Sequence, residues 1–385
     1  MTPPSSDIVI AGAGLSASLA AMRIAPAARV LLVDQKPDPL AGHTWSFHDS
    51  DIDAGQRAWL APAIRRAWDG QDVRFPGYGR QLRSGYASLD AESLGATLRA
   101  LPNVATLQAR VTAVDARGIT LSDGQRIEAG IAIDARGFRP HPAIQIRFQK
   151  FLGQELRLTG PHGLTRPVIM DATVPQQDGY RFFYLLPFDD NRLLVEATYY
   201  SDAAHLSADR QRAGIADYVA AHGWEIAEVV REEAGVLPIT LRFDAHAFWR
   251  SMPSDIPTIG LRALRFHPLT GYSLPHAMRS ADLIARHWQQ GPRPLAKALR
   301  RDCLQDAARQ GFYRLLSRML FEAAAPDERR RVMERFYRLP EPLIERLYAG
   351  QSTLTDKARI LTGRPPVPVA RALRCLPGKL KERPA

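Results

Sequence analysis

Residues 7–35 read DIVIAGAGLSASLAAMRIAPAARVLLVDQ, in the order strand, glycine turn, helix, strand and acid. Ile8, Val9, Ile10 and Ala11 make the short apolar run of a strand buried on both faces in a parallel sheet. Gly12 permits the tight bend out of that strand. Gly14 lets a pyrophosphate approach the backbone, and Ala17 stands where a small residue lets helix and sheet pack closely. The phosphates would then sit on free N–H groups at a helix N-terminus, favoured by its partial positive charge. Asp34, twenty residues beyond Gly14, ends the second strand, where a carboxylate accepts bonds from ribose hydroxyls. A glycine triplet alone is weak evidence; the complete unit predicts a dinucleotide site around which the rest of the chain is fitted.

Working outward, two later stretches return to that site. Residues 104–134 carry short β-type runs with an SDG turn, a small meander ending in a buried strand. The following IAIDARGF (131–138) places Asp134 and Gly137 straight after that strand, where the chain can pass close to the same dinucleotide. Residues 254–288 contain the strand-like IPTIG with Gly260, a loop with Pro268, Gly271 and Pro275, and a helix from about His276. A loop feeding a helix N-terminus adds backbone donors from the far end of the chain.

The middle is the most β-like region. Residues 180–186, YRFFYLL, and 192–200, RLLVEATYY, predict a hairpin in a second sheet. Period two sets Leu194, Glu196, Thr198 and Tyr200 on one face and Tyr180, Phe182, Tyr184 and Leu186 on one face of the partner. A carboxyl among such neighbours is hard to ionise and can serve as an acid; equally, Glu196 can pair with Arg192 or Arg181. Residues 213–230 read as helix, followed by a β-type segment near 234–241. His43 and His48 lie in a turn-rich aromatic loop without a third ligand at a convincing spacing, so packing against a cofactor is preferred to a metal.

With 385 residues the chain can bury a large core in more than one layer. Its two cysteines, Cys303 and Cys375, show no CxxC pattern, which points to a reducing compartment and neither metal nor disulfide. Neither a secretory leader nor a spanning run of apolar residues is legible. The net charge of +11 is uneven: beyond Ala285 there are 22 basic and 10 acidic residues, on helical segments that mix arginines, leucines and aromatics. That suits an anionic membrane surface; RNA is a competing partner, although no RNA-binding motif is evident and no nucleic acid is expected.

Only one dinucleotide unit is legible, and three separated pieces converge on it, as in flavoproteins of the aromatic-hydroxylase type. More specifically, AGHTWSFH (41–48), DGYRFFYLLPF (178–188), LLVEATYYSD (193–202), FHPLTGYSLP (266–275), FYRLPEPLIERLYAG (336–350) and GRPPVPV (363–369) resemble the blocks of bacterial lycopene beta-cyclases. The resemblance implies an α/β fold with a Rossmann-type FAD-binding domain (1–75, 103–140 and 250–290), an inserted substrate sheet (76–102 and 141–249) and a membrane-facing helical region (291–385). It implies an enzyme containing FAD, with NAD(P)H or an external reductase as reductant, peripheral to the cytoplasmic face of the inner membrane. Its reaction would close the acyclic ends of lycopene to beta-rings without net redox change. Glu196 is then the expected catalytic acid, with Gly12, Gly14, Ala17, Asp34, Asp134, Gly137, Gly260 and Gly271 at the cofactor. One departure stands out: related flavoproteins place an aspartate after the third-block glycine, whereas Gly260 is followed by Leu261 and Arg262. A flavin monooxygenase or a polyprenyl reductase would share most of these features.

Overall fold

The computed structural model describes residues 6–363 and 367–376. The proline-rich break at 364–366 and the basic residues 377–385, part of the expected final helix, lie outside the described residues. Strand Ser6–Ala11 pairs in parallel with Val30–Asp34 and with Arg126–Asp134, and helix Leu15–Ile24 links the first two strands. The full order is Val104–Gln108, Val30–Asp34, Ser6–Ala11, Arg126–Asp134, Gly118–Leu121 and Val111–Asp115; the last three form a meander, whereas Val104–Gln108, expected as its first run, pairs in parallel with Val30–Asp34 at the opposite edge because its connection crosses over the sheet. Ile8, Ile10, Ile131 and Ile133 join one buried cluster with Leu19 and Ala20 of the first helix and Met278 and Ala281 of helix Leu274–His287. The alanines of both helices let them approach closely over the sheet.

The second sheet has seven strands, in the order Ile226–Phe243, Ile144–Leu158, Arg192–Ser201, Tyr180–Pro187, Val168–Asp171, Gln71–Phe75 and Tyr78–Leu82. The predicted hairpin is present with Tyr184 opposite Glu196. Its alternation is obeyed: Leu193, Val195, Ala197 and Tyr199 pack on helix Ala208–Ala221, whereas Leu194 and Tyr200 pack beneath Leu320, Phe321 and Tyr337 of the helical region.

Three expectations need correction. The helix expected over 213–230 stops at Ala221, because residues from Ile226 onward pair along Ile144–Leu158, with Ile226 opposite Leu158 and Glu228 opposite Arg157. Strand Gln71–Phe75, expected in the nucleotide domain, adds to the second sheet by parallel pairing with Val168–Asp171. Conversely, Tyr86–Asp90 and helix Ala91–Arg99, expected with the substrate sheet, belong to the first layer: the strand pairs with Thr44–His48 and Arg66–Trp68, and Leu89, Leu94 and Leu98 enter the first core. Leu94 and Leu98, four residues apart, give the helix one apolar face, which the nucleotide layer covers.

Glu155, fully buried, links the layers by ion pairs to Arg65, Arg192 and Arg231; Arg65 also holds Asp90, the N-cap of helix Ala91–Arg99. Among the described residues no helix is long and apolar enough to cross a membrane.

Candidate active site

A cavity of about 520 Å³ runs from the glycine turn to Glu196. Gly12 has φ +99°, and a Cβ there would lie 2.8 Å from the Ala135 carbonyl oxygen, so the glycine turn and the returning segment 131–138 meet where a side chain cannot fit. Helix Leu15–Ile24 begins at Gly14 without a side-chain cap, and Gly14, Leu15, Ser16 and Ala17 line the cavity. Asp34 accepts the Ala13 N–H at 3.0 Å through one oxygen and the Lys36 N–H at 3.0 Å through the other, fixing the turn while it lines the same space. Gly137, Gly260 and Gly271 also line it, as do Ser273 and Leu274 at the uncapped start of helix Leu274–His287. Two helix N-termini and a glycine cradle facing one cavity fit a dinucleotide's phosphates.

Asp134 departs from expectation. It is buried outside that lining, its carboxylate taken up by Arg136 at 2.8 Å and Arg262 at 3.2 Å. Its backbone does the joining: Ile259 N–H donates to its carbonyl at 3.0 Å and Asp134 N–H to Pro257 at 2.8 Å. Arg262, the unusual residue after Gly260, therefore has a structural partner.

At the other end, Glu196 faces the cavity with the Thr198 hydroxyl donating to it at 2.6 Å. Neither arginine proposed as an ion-pair partner reaches it: Arg192 binds Glu155 at 2.6 Å, and Arg181 stacks over Phe183 and Tyr199. A second carboxylate that the sequence did not suggest, Glu233, stands beside it. Both lie opposite Gly153, from the strands on either side, and a Cβ on Gly153 would sit 3.3 Å from the Cγ of each. The missing side chain lets the two carboxyls close over the strand between them.

Burial, and then the charge of Glu233, pushes the Glu196 carboxyl well above the ordinary carboxylate range. Burial also raises Glu233, but Arg231 at 3.3 Å and Thr44 favour its ionised form. The pair therefore holds one proton most readily on Glu196, with Glu233 as the more easily ionised member. Arg231 is itself fixed by Glu155 at 2.7 Å and by the Thr44 hydroxyl at 2.7 Å.

Aromatic side chains complete this end: Phe151, Phe182, Tyr184, Tyr200, Tyr272 and Tyr348 line the cavity. The hydroxyl of Tyr86 bonds those of Tyr184 at 2.9 Å and Tyr272 at 3.1 Å, which locks the ring positions. Of the two loop histidines, His43 lines the cavity; burial pushes His48 down to about 3, leaving it neutral against Gln71 and Tyr86. Among the described residues no group of metal-ligating side chains could hold a metal ion.

Residues 7–374 match the lycopene cyclase protein family. The chain is 47% identical to the lycopene beta-cyclase of a Paracoccus species, covering 98% of each chain, and 45% identical to that of Pantoea ananas, covering 97% of this chain and 98% of the other. Among solved structures, a flavin-dependent brominase superposes with a TM-score of 0.63 at 14% identity, covering 92% of this chain and 97% of that one. A geranylgeranyl bacteriochlorophyll reductase-like protein from Thermoplasma acidophilum gives 0.59 at 11% identity, covering 93% and 96%. The structural likenesses show the fold, that of aromatic-hydroxylase-like flavoproteins. On the family match and the near-full-length identities, the chain belongs to the lycopene cyclase protein family.

Proposed function

We propose that this protein is a lycopene beta-cyclase that adds a proton to the terminal double bond of each acyclic end and removes a different proton after ring closure. The observation that carries the reading is a buried carboxyl, Glu196, whose burial and carboxylate neighbour favour its protonated form, in an aromatic-walled cavity continuous with a dinucleotide cradle. Glu196 donates its proton to the terminal alkene, leaving a tertiary cation. A neighbouring double bond attacks that cation and closes the six-membered ring, and loss of a ring proton to the Glu196–Glu233 pair restores the starting protonation. Substrate and product are isomers, and no electron is transferred overall.

A carboxylic acid protonates an alkene too weakly to act unaided, so stabilisation of the cation must lower most of the barrier. The aromatic faces of Phe182, Tyr184 and Tyr272 would each contribute about 0.5–2 kcal/mol to a cation near them. FAD, held by Gly12, Gly14, Ala17, Asp34, Gly137, Gly260 and Gly271, would supply in its reduced form a negative charge beside the cation. NAD(P)H or an external reductase would maintain that form. The protein is further read as peripheral, docking an anionic membrane on the cytoplasmic face through its basic C-terminal helices. Part of that basic character is structural: Arg318 and Arg329 are buried and bond main-chain carbonyls.

Product mass from lycopene incubated anaerobically with protein, FAD and reductant tests the reading. A product isomeric with lycopene in H₂O that gains one deuterium per ring in D₂O supports it. Added oxygen would make the protein a monooxygenase, and added hydrogen without rings a reductase. Glu196→Gln that binds FAD normally yet keeps the full cyclisation rate would remove Glu196 from its role.

A further inference from the structure

The helical region encloses a second cavity, of about 300 Å³, which the chemistry above leaves unused. Its walls are aliphatic, with Leu315, Leu316, Met319 and Leu347 among them. Tyr200, Thr270 and Tyr348 line both this cavity and that of Glu196, so the two spaces adjoin at these residues. Leu361, Val369, Leu373 and Leu376 also line it while remaining about half exposed, 47–58%, so it opens to the surface among them. These four are the majority of the seven large exposed hydrophobics among the described residues, and their gathering at one opening marks an interaction site rather than ordinary surface scatter. The exposed cations Arg359, Arg371 and Arg374 lie on the two helices that carry three of them, Leu354–Leu361 and Val369–Arg374.

We infer that this second cavity is the channel for the unreacted length of a polyene hydrocarbon, and that its leucine-rimmed mouth inserts into an anionic bilayer leaflet from which the polyene is drawn. The inference rests on the cyclase reading. With a dinucleotide in the first cavity, only the reacting end of a long polyene fits beside Glu196, and the remainder needs an apolar enclosure continuous with it. A hydrocarbon dissolved in lipid is penalised for every carbon exposed to water, so the channel opens into the bilayer and not into solvent. Leucines at the rim enter the acyl region while neighbouring arginines meet the phosphates, the arrangement of an interfacial helix.

Two variants and one label test this. Leu316→Trp narrows the channel away from the carboxylates, and Leu373→Glu charges the mouth. Both are compared with the unmodified protein using lycopene in phosphatidylglycerol-containing vesicles and lycopene in detergent micelles, with bound FAD measured by absorbance. The expected result is full FAD binding in both, at least tenfold slower turnover by Leu316→Trp in either medium, and a loss for Leu373→Glu that is at least tenfold in vesicles and much smaller in micelles. An environment-sensitive fluorophore on Leu373→Cys is expected to shift to the blue on adding these vesicles without lycopene. That readout stands whether or not rings form, so failure of the cyclase reading is told apart by the product of the unmodified protein. Normal turnover by Leu316→Trp, vesicle turnover by Leu373→Glu at the unmodified rate, or an unchanged fluorophore each overturns the inference. So does shielding of the fluorophore without vesicles that rises with protein concentration, which would assign the mouth to a second copy of the chain. Shielding that is lost on removing residues 377–385 would assign it to the chain's own end.

Discussion

Replacing Glu233 by Gln removes a charge while preserving volume, and the structure sets the size of the consequence. The Cγ atoms of Glu196 and Glu233 each lie 3.3 Å from the point a Gly153 Cβ would occupy, so they are at most twice that distance apart. Two unit charges at about that separation, in an effective dielectric of about 20, repel by about 2.5 kcal/mol, equivalent to about two pKa units. Ionised Glu233 is therefore, after burial itself, a main reason that Glu196 retains its proton. An acid works in its protonated form, so activity is present below its raised pKa and is lost as pH rises through it. Without the neighbouring charge that pKa falls, and the alkaline limb of the turnover profile moves to lower pH by about two units. The assay is the initial rate of ring formation from micellar lycopene between about pH 5 and about pH 9, with bound FAD measured at each point. An alkaline limb that stays in place in a Glu233→Gln protein with normal FAD binding would refute the coupling, whatever happens to the maximal rate.

Other perturbations probe the supporting structure. Gly12→Ala forces a methyl against the Ala135 carbonyl at a φ of +99°, and flavin titration is expected to show at least about tenfold weaker FAD binding, the equivalent of about 1.4 kcal/mol. Glu155→Gln leaves Arg65, Arg192 and Arg231 without their shared buried anion; denaturant unfolding is expected to show a loss of about 3–5 kcal/mol, and an unchanged midpoint would mean the layers do not depend on it. Despite burial, its arginine partners hold the Glu155 carboxyl down at about 2. Its contribution is therefore present above the unfolded carboxylate pKa and is lost as pH falls from about 4 toward 2, which acid titrations of the two proteins should resolve. Asp51 has the opposite sign: burial raises it to about 7, so its contribution is full below its unfolded pKa and disappears as pH rises through about 7. Asp51→Asn should therefore gain in thermal midpoint relative to the parent between about pH 5 and about pH 8, and a constant difference across that range would contradict this.

The nucleotide unit was legible because each of its local requirements is written in consecutive residues: an apolar run, Gly12, Gly14, a small Ala17 and an acid at Asp34. The hairpin face carrying Glu196 was equally open to period-two reading. Glu233 was not, because its role depends on which strand lies between it and Glu196, and pairing across Gly153 is a long-range fact with no local signature. The same cause hides the strand at 225–230, where EIAEVV carries the helix formers Glu and Ala yet the edge of Ile144–Leu158 claims the backbone from Ile226. Asp134 follows a buried strand as a ligand-binding acid would, but the two arginines that occupy it come from positions 136 and 262, and the second is invisible to local pattern.

The strand Arg192–Ser201 carries Glu196, the proposed proton donor, and, four residues later on the same face, Tyr200, which lines both cavities. An extended strand advances about 3.3 Å per residue, so backbone geometry sets Glu196 roughly 13 Å beyond Tyr200. On the cyclase and channel readings the strand would act as a measuring rod: a stiff conjugated chain could be pushed in only until its tip met the carboxyl, and the bond presented for protonation would be chosen by length rather than by any polar handle. Because the rod reads from one tip, the two ends of a symmetrical molecule must be processed in separate visits. On that reading a half-finished, one-ringed species would have to back out, turn around in the lipid and return by its other end.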